Sequence, residues 1–310
     1  MPHRAGREAT SCMHKRRLVI LLAVLLLAAL PRFSWAVTVM DDLGRRVTVK
    51  GQVRRIVSLY PAHTENLVAL GVRDRIVGIS QGDDPDLVKG ARQLPLRPSP
   101  ETILSLKPDL VVMRSLQSSM QPQLISQLEG FVPVAVLDPP SFDGLESYVL
   151  RLGTLVGRRK EAQAKLKWAL GILEESRRRN RGRSLGAVLI VNNRDVTTCS
   201  PGTWPSRLME ASGLPPAVQG VPTSEGSAVA RLGAEGLLAA SPKIKVILVQ
   251  RGPMNPGGLE DFLRDQRFAP MEAVRRGSVF QVDERDVSRP SLMRLQRGLN
   301  LLSSIREGAK

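Results

Sequence analysis

The sequence predicts an α/β fold in which two Rossmann-like lobes, with mainly parallel sheets, are joined by a single long helix. Short apolar runs bounded by Gly and Pro alternate with helical patterns in both halves of the chain, and this alternation is typical of parallel sheets with helices on both faces. One amphipathic pattern, over 160–179, lies between the halves, and at 1.5 Å per residue it is about 30 Å long. A motif of helix, proline and strand also occurs once in each half.

The individual elements follow from the apolar runs and the residues that interrupt them. In the N-terminal half the predicted strands are 55–59, 76–79, 110–113 and 132–137. The helices predicted between them are 64–70, 100–106 and 121–129. A helix over 143–156 precedes the long one. The C-terminal half then continues with strands 187–191, 246–249 and 279–282 and a final helix over 291–305.

The N-terminus has the pattern of a secretory leader. Residues 1–17 carry five basic side chains, an apolar run follows over 18–30, and Ser34-Trp35-Ala36 supplies small residues at a cleavage position. We expect cleavage after Ala36, with Met13 as an alternative start, and a mature protein in the periplasm. An uncleaved anchor is the rival interpretation, but the run is shorter than the roughly 20 residues of a membrane span. Because no cysteine follows the run before Cys199, a lipid anchor is not indicated.

The predicted organisation has four parts. They are a leader over 1–36, an N-terminal lobe over 37–140, a helical connection over 141–182 and a C-terminal lobe over 183–310. Cleavage removes six basic residues and one acidic residue, which lowers the formal net charge from +16 to +11. Export and the low aromatic content, 4%, argue against a nucleic-acid partner. Cys199 alone remains after cleavage, so no internal disulfide is expected.

Known catalytic signatures are absent from the sequence. The chain lacks the GxGxxG, GxxxxGK[ST], GxSxG, HExxH and CxxC motifs. His63 is the one histidine that remains after cleavage, without acidic or cysteine partners at metal-ligand spacing. We therefore expect neither an enzyme nor an intrinsic metal site. A periplasmic α/β enzyme and a ligand sensor without transport remain the alternatives from other functional classes.

The repeated motif places one acidic residue at the same point of each half. Residues 99–113 (SPETILSLKPDLVVM) align with 233–249 (GAEGLLAASPKIKVILV), so that Glu101 matches Glu235. Each glutamate also lies in the first turn of a helix, where it interacts favourably with the helix dipole. Two similar lobes are therefore expected, each presenting one exposed carboxylate.

The order of these segments resembles the iron-chelate/cobalamin (class III) family of periplasmic solute-binding proteins of ABC importers. The resemblance covers nearly the whole mature chain, through RRIVSLYPAHTENLVALGVRDRIVGIS (54–80), PSPETILSLKPDLVVM (98–113), the long helix, SPGTW (200–204) and GSVFQVD (277–283). It implies that the protein binds its ligand between the lobes and docks on a dimeric permease with its ATPase, and we expect the protein to be a monomer. It also implies that Glu101 and Glu235 meet permease arginines.

Candidate ligand contacts lie where predicted strands end, because open α/β folds bind ligands beyond the carboxyl ends of their strands. They are Tyr60, His63, Arg97, Arg114, Trp204, Arg251 and Arg289. Any one of them can instead be an ordinary surface residue, and a packed loop histidine is the simpler interpretation of His63. Glu65 is assigned a structural role at a helix start.

The ligand expected from this set is an iron chelate, either a ferric siderophore or haem. Arginine forks suit carboxylates, and aromatic faces stack on flat rings. Family members that bind cobalamin line the cleft with several aromatics, whereas Met113-Arg114 and Leu96-Arg97 occupy the corresponding regions here. The arginines therefore favour an anionic chelate, and a corrinoid stays the alternative.

Overall fold

The computed structural model describes residues 36–138, 142–218, 220–221 and 228–309. The predicted leader, residues 1–36, lies outside the described residues except for Ala36. None of the described helices is both long and apolar enough to cross a bilayer.

The N-terminal lobe is built on a parallel five-stranded sheet. A small two-stranded sheet, β1 (Ala36–Met40) and β2 (Arg46–Lys50), comes first in the chain. The main strands are β3 (Ile56–Ser58), β4 (Ile76–Ser80), β5 (Arg92–Leu94), β6 (Leu110–Met113) and β7 (Val134–Val136), in the spatial order β5-β4-β3-β6-β7. Strands β3, β6 and β7 are fully buried and rich in Val and Ile, as expected for central strands covered on both faces.

Helices connect these strands and cover the sheet. They are α1 (Pro61–Ala69), α2 (Pro100–Leu104), α3 (Ser115–Met120), α4 (Leu124–Glu129) and α5 (Leu145–Leu155). Two of them begin with proline, which has a fixed φ and lacks an N–H that the first helical turn would leave unsatisfied. Ser99 caps α2 by accepting a hydrogen bond from the Thr102 amide, the usual role of an N-cap serine.

The C-terminal lobe has a smaller parallel sheet of the same pattern. Its strands are β8 (Ala187–Ile190), β9 (Thr197–Cys199), β10 (Val229–Arg231), β11 (Val246–Arg251) and β12 (Val279–Asp283). The parallel order is β12-β11-β8, and β9 pairs antiparallel with β10. The helices of this half are α7 (Trp204–Ala211), α8 (Gly233–Ala240), α9 (Gly258–Arg264), α10 (Glu272–Arg275), α11 (Glu284–Val287) and α12 (Leu295–Gly308).

The two lobes repeat one arrangement, which confirms the predicted fold class. In the first, β6 lies between β3 and β7, and in the second, β11 lies between β8 and β12. The helix before each middle strand, α2 or α8, carries the repeated motif. Helix α6 (Arg159–Asn180) runs between the lobes for 22 residues, or about 33 Å. Its buried stripe packs on α5 at one end and on α7 and α12 at the other.

A buried polar joint also links the lobes. Glu65 Oε1, on α1, accepts hydrogen bonds from Arg289 Nη1 at 2.9 Å and from Arg294 Nε at 2.7 Å. The neighbouring Asn66 donates to the Pro290 carbonyl at 3.0 Å and accepts from the Leu292 amide at 2.9 Å. We call these six residues the interlobe joint.

Several elements differ from the sequence prediction for local reasons. Helix α1 begins at Pro61 rather than at residue 64, because proline can start a helix as well as interrupt one. The β1–β2 sheet and strands β5, β9 and β10 were not predicted, since they are short and partly exposed. Their residues therefore lack the continuous apolar run that marks the central strands.

The crossing of α5 and α6 depends on Gly153. A Cβ at this position would lie 2.5 Å from Ala162 Cβ and 3.0 Å from the Arg158 carbonyl oxygen. We expect Gly153→Ala to lower the free energy of unfolding by about 1–3 kcal/mol, because overpacking outweighs the better helix propensity. Gly171→Ala on α6, which meets open space, is the matched control and should raise it by up to about 1 kcal/mol. Urea unfolding measures both, and a Gly153→Ala variant as stable as the parent would contradict this packing.

Candidate functional site

A cavity of about 550 Å³ lies between the lobes. Its walls come from the segments that follow β3, β4, β6 and β7 on one side and β8, β11 and β12 on the other. Both sheets therefore point their carboxyl ends at the same space, the usual position of a ligand in open α/β folds. Leu116 and Met254, one from each lobe, line it and are 53% and 47% exposed, so they mark its mouth.

The N-terminal wall is organised around Arg114. Its guanidinium lies over the Tyr60 ring, 4.5 Å from the centroid, in a cation–π arrangement. Arg114 Nε is also 3.8 Å from Asp138 Oδ1. Asp138 is held in turn by the Ser115 amide at 3.0 Å. Burial raises the pKa of Tyr60, and the nearby Arg114 opposes that shift, so the phenol stays neutral and can donate a hydrogen bond.

The C-terminal wall also contains an aromatic ring and an arginine, Trp204 and Arg289. Trp204 is the first residue of α7 and is 3% exposed. Its ring centroid lies 6.1 Å from that of Phe142. Its Nε1 has no hydrogen-bond partner in the part of the chain that the structure describes. Arg289 is 8% exposed, lines the cavity and also bonds Glu65 in the interlobe joint.

A polar cluster that the sequence analysis missed completes this wall. Gln250, at the end of β11, accepts a hydrogen bond from Ser288 Oγ, and its Nε2 lies 3.5 Å from Glu284 Oε2. Gly252 makes room for this carboxyl, because a Cβ there would lie 2.4 Å from the same Oε2. Burial raises the pKa of Glu284, and the charge of Arg289 opposes the shift. The sequence does carry a signal for this cluster, because Glu284 is an acidic residue that directly follows the end of a strand.

His63 does not line the cavity. Because α1 begins at Pro61, His63 lies inside the first turn and is fully buried. Its Nδ1 is 2.7 Å from the Tyr148 hydroxyl, and its ring packs under Tyr60 with centroids 5.1 Å apart. Burial and the positive charge of Arg114 lower the pKa of His63 to about 3, against the opposing carbonyl groups of Met113 and Leu137. His63 therefore supports the cavity wall as a neutral ring and does not contact the cavity.

Arg97 and Arg251 also lie away from the cavity. Arg97 follows β5, which is the outer strand of its sheet, and its side chain is exposed. Arg251 follows Gln250 in β11, and successive side chains of a strand point to opposite faces. Gln250 is buried against the cavity, whereas Arg251 is exposed. The prediction that these two arginines line the cleft is therefore wrong for geometric reasons.

Glu65 has a structural role, but not the one inferred from its position in sequence. It is 1% exposed and lies beyond the first turn of α1, so the helix dipole is not its main partner. It pairs instead with Arg289 and Arg294 of the other lobe. Arg294 also contacts Asp286, whose second oxygen is 2.8 Å from Arg297 Nε. Buried charges thus bridge the lobes next to the cavity.

Glu101 and Glu235 occupy matching surface positions. Both are exposed in the first turn of their helices, α2 and α8. Neither forms an ion pair within the described ranges. Hydrogen bonds from its own backbone amide and from Ser99 lower the pKa of Glu101, which keeps it ionised. The two carboxylates are therefore available to an external partner.

The described residues contain no cluster of side chains that could coordinate a metal ion directly. No three His, Cys, Asp or Glu side chains among them come close enough to hold a metal ion. Cys199, which lines the cavity, is a free buried thiol, and burial raises its pKa to about 12. It is therefore a neutral side chain and not a thiolate ligand.

A family model of periplasmic binding proteins matches residues 56–285. The chain belongs to this family. Its matched region contains the whole N-terminal sheet, the long helix and most of the second lobe, in agreement with the two-lobed fold. The resemblance inferred from the sequence is thus confirmed.

Two proteins of Bacillus subtilis are similar to this chain, the uncharacterized ABC transporter substrate-binding lipoprotein YvrC, and YhfQ, which is named provisionally as a lipoprotein of the same kind. YvrC is 33% identical over 135 residues, which cover 42% of this chain and 43% of YvrC. YhfQ is 24% identical over 302 residues, covering 86% of this chain and 91% of YhfQ. The chain thus matches less than half the length of the first relative and nearly all of the second.

Solved structures share the fold at low sequence identity. The petrobactin-binding protein YclQ of Bacillus subtilis is similar with a TM-score of 0.71 and 14% identity, covering 88% of this chain and 99% of YclQ. The haem-binding protein RhuT of Roseiflexus has a TM-score of 0.68 and 22% identity, covering 84% and 100%. The molybdate-binding protein MolA of Haemophilus influenzae has a TM-score of 0.69 and 20% identity, covering 88% and 91%.

The neutral state of His63 has a measurable pH dependence. The pKa is about 3 in the fold and 6.5 in an ordinary setting, so the unfolded chain takes up this proton first as the pH falls. The contribution of His63 to stability is complete above pH 6.5 and decreases by about 1.4 kcal/mol per pH unit below it, down to the folded pKa. NMR of the mature protein should show one histidine ring that stays neutral at pH 5. A urea-unfolded sample should titrate near the ordinary value, and charging of the folded ring above pH 5 would contradict its burial.

Proposed function

We propose that the protein is the substrate-binding component of an ABC importer and acts outside the cytoplasmic membrane. We propose further that it captures an iron chelate, a ferric siderophore or haem, in the interlobe cavity. One observation carries the proposal. Each lobe contributes an aromatic ring and an arginine to the same cavity, Tyr60 with Arg114 from one side and Trp204 with Arg289 from the other.

The chemistry of these four side chains suits a chelate. Aromatic faces stack on flat or apolar ligand surfaces, and guanidinium groups donate hydrogen bonds to carbonyl, hydroxamate or carboxylate oxygens. A ligand that already holds its metal needs no metal-binding side chains from the protein, in keeping with the neutral Cys199 and the buried His63. The family relationship and the siderophore- and haem-binding neighbours support the same ligand class. A corrinoid is the second candidate, favoured by the two aromatic rings on opposite walls.

The partner proposed for this protein is a dimeric permease with its ATPase. Glu101 and Glu235 are exposed acidic side chains at equivalent places in two similar lobes. Two such carboxylates match two arginines of a dimeric partner, and charge pairs of this kind fix orientation and speed encounter. We propose that the protein works as a monomer, because one chain supplies both lobes and both carboxylates.

Ligand binding is tested by the tryptophan fluorescence of the purified mature protein, which contains Trp204 in the cavity wall and Trp168 on α6. We expect quenching on titration with haem, a ferric siderophore or cobalamin, whichever the cavity accepts. Arg114→Gln should weaken binding about tenfold or more, since a hydrogen bond to a charged group is worth about 1.5–3 kcal/mol. Arg97→Gln, an exposed arginine outside the cavity, is the matched control and should leave the affinity unchanged.

Two results would count against this assignment. Equal loss of affinity in both arginine variants would mean that general surface charge, and not the cavity, binds the ligand. Chemical alteration of the recovered ligand would indicate an enzyme, because a binding protein returns its ligand intact.

Docking is tested by the double variant Glu101→Ala, Glu235→Ala. We expect unchanged ligand affinity, since neither residue lines the cavity, and loss of chelate uptake by cells that depend on this protein. Glu174→Ala, which removes an exposed carboxylate from α6, should leave uptake intact. Normal uptake by the double variant, or a loss of its ligand affinity, would refute the docking role.

A further inference from the structure

The charged groups around the cavity are balanced. Its lining contains the arginines Arg114 and Arg289 and the carboxylates Asp138 and Glu284, one of each sign from each lobe. Both arginines also have partners within the protein. Arg114 lies 3.8 Å from Asp138, and Arg289 donates to Glu65 at 2.9 Å. The cavity therefore has no surplus of positive charge for an anionic ligand.

Glu284 has two polar neighbours within the protein, the Gln250 amide and the backbone N–H of Met254. Burial raises its pKa, and the hydrogen bond from Met254 opposes this shift. Its Oε2 lies 3.5 Å from Gln250 Nε2, at the outer limit of a hydrogen bond. It forms no ion pair with any residue in the described ranges. Its position is nonetheless built into the fold, because Gly252 leaves the space that it occupies and Gln250 is fixed by Ser288. A carboxyl held in place with acceptor capacity remaining is suited to a ligand that donates hydrogen bonds.

Asp138 forms the corresponding group on the opposite wall. It follows β7, as Glu284 follows β12, and these are equivalent strands of the two sheets. Ser115 and Arg114 hold it from one side, while 36% of its side chain remains exposed. Acceptors therefore face the cavity from both lobes.

We propose that Glu284, with Asp138 opposite, accepts hydrogen bonds from donor groups on the ligand, so that the cavity selects chelates of near-zero net charge whose periphery carries amide, hydroxyl or amine groups. This rests on the proposed chelate-binding function and narrows its substrate class. An anionic chelate would have to displace the carboxylates from the two arginines or lie beside Glu284, and like charges close together in a shielded site are unfavourable.

The test compares chelates of different charge on the same protein. Isothermal titration with a neutral ferric trihydroxamate, cobalamin, haem and a trianionic ferric tris-catecholate gives four affinities for the mature chain. We expect the trihydroxamate or cobalamin to bind at least about tenfold more tightly than the tris-catecholate. Glu284→Gln keeps the shape of the side chain and removes its charge. This variant should bind the uncharged chelate about tenfold more weakly and the anionic chelate more tightly.

The ratio of the affinity for the uncharged chelate to that for the anionic chelate shows whether Glu284 contacts the ligand or only supports the fold. Damage to the fold would lower both affinities together and leave their ratio unchanged. Glu260→Gln, an exposed carboxylate on α9, is the control and should leave the ratio unchanged, and Asp138→Asn is a second variant should Glu284→Gln fold poorly. Tighter binding of the tris-catecholate, or an unchanged ratio in the variants, overturns this inference while leaving the proposed function standing. Failure of the wild-type protein to bind any of the four chelates overturns the proposed function itself.

Discussion

The arrangement of the two lobes depends on a carboxylate buried between arginines of the opposite lobe. Glu65 is almost inaccessible to solvent, and its partners Arg289 and Arg294 lie more than 220 residues later in the chain. Removing charges from water is costly, and such a cluster is stable only when every member keeps its partner. The interlobe joint is therefore specific for one relative position of the lobes, and any other position would leave buried charges unpaired.

The interlobe joint and the cavity wall share one residue, so the relative position of the lobes and the lining of the cavity depend on the same side chain. Arg289 bonds Glu65 on its inner side and forms part of the cavity wall on its outer side. A ligand group that approaches Arg289 therefore meets a guanidinium whose direction is already set and whose charge is already partly neutralised. The same holds for Arg114, which is positioned by the ring of Tyr60 and by Asp138. Preorganised donors of this kind lose little conformational freedom on binding.

The sequence predicted the elements whose signal is local and missed what depends on distant residues. Continuous runs such as that of β6 and the apolar stripe of α6 reflect burial directly, so the fold class and the long helix were correct. Glu65 was explained by its own helix because its true partners are remote in sequence. The sequence indicates a loop at His63 because proline often precedes a helix. In the structure Pro61 begins the helix instead, and His63 lies within it. The positions of Arg97 and Arg251 at strand ends predict that they line the cleft. The direction of their side chains and the order of the strands, which place them elsewhere, are visible only in the folded chain.

Counting arginines also gave an incomplete description of the cavity. The positions of Arg114 and Arg289 after strands indicate cavity residues, whereas the sequence does not show that Asp138, Glu284 and Glu65 lie close to them. Their compensation becomes visible only when both sheets are assembled and the carboxyl ends of β7 and β12 face each other. Electrostatic character belongs to the assembled cavity and cannot be assigned one residue at a time.

Helix α6 and the interlobe joint both connect the lobes, and together they restrict how far the helices that carry Glu101 and Glu235 can move relative to each other. These carboxylates sit on helices that pack on their own sheets, so the distance between them is set by the relative position of the lobes. A partner that reads this span therefore reads the relative position of the lobes. At the mouth, Leu116 and Met254 are half exposed, so a ligand held between them would bury part of their apolar surface.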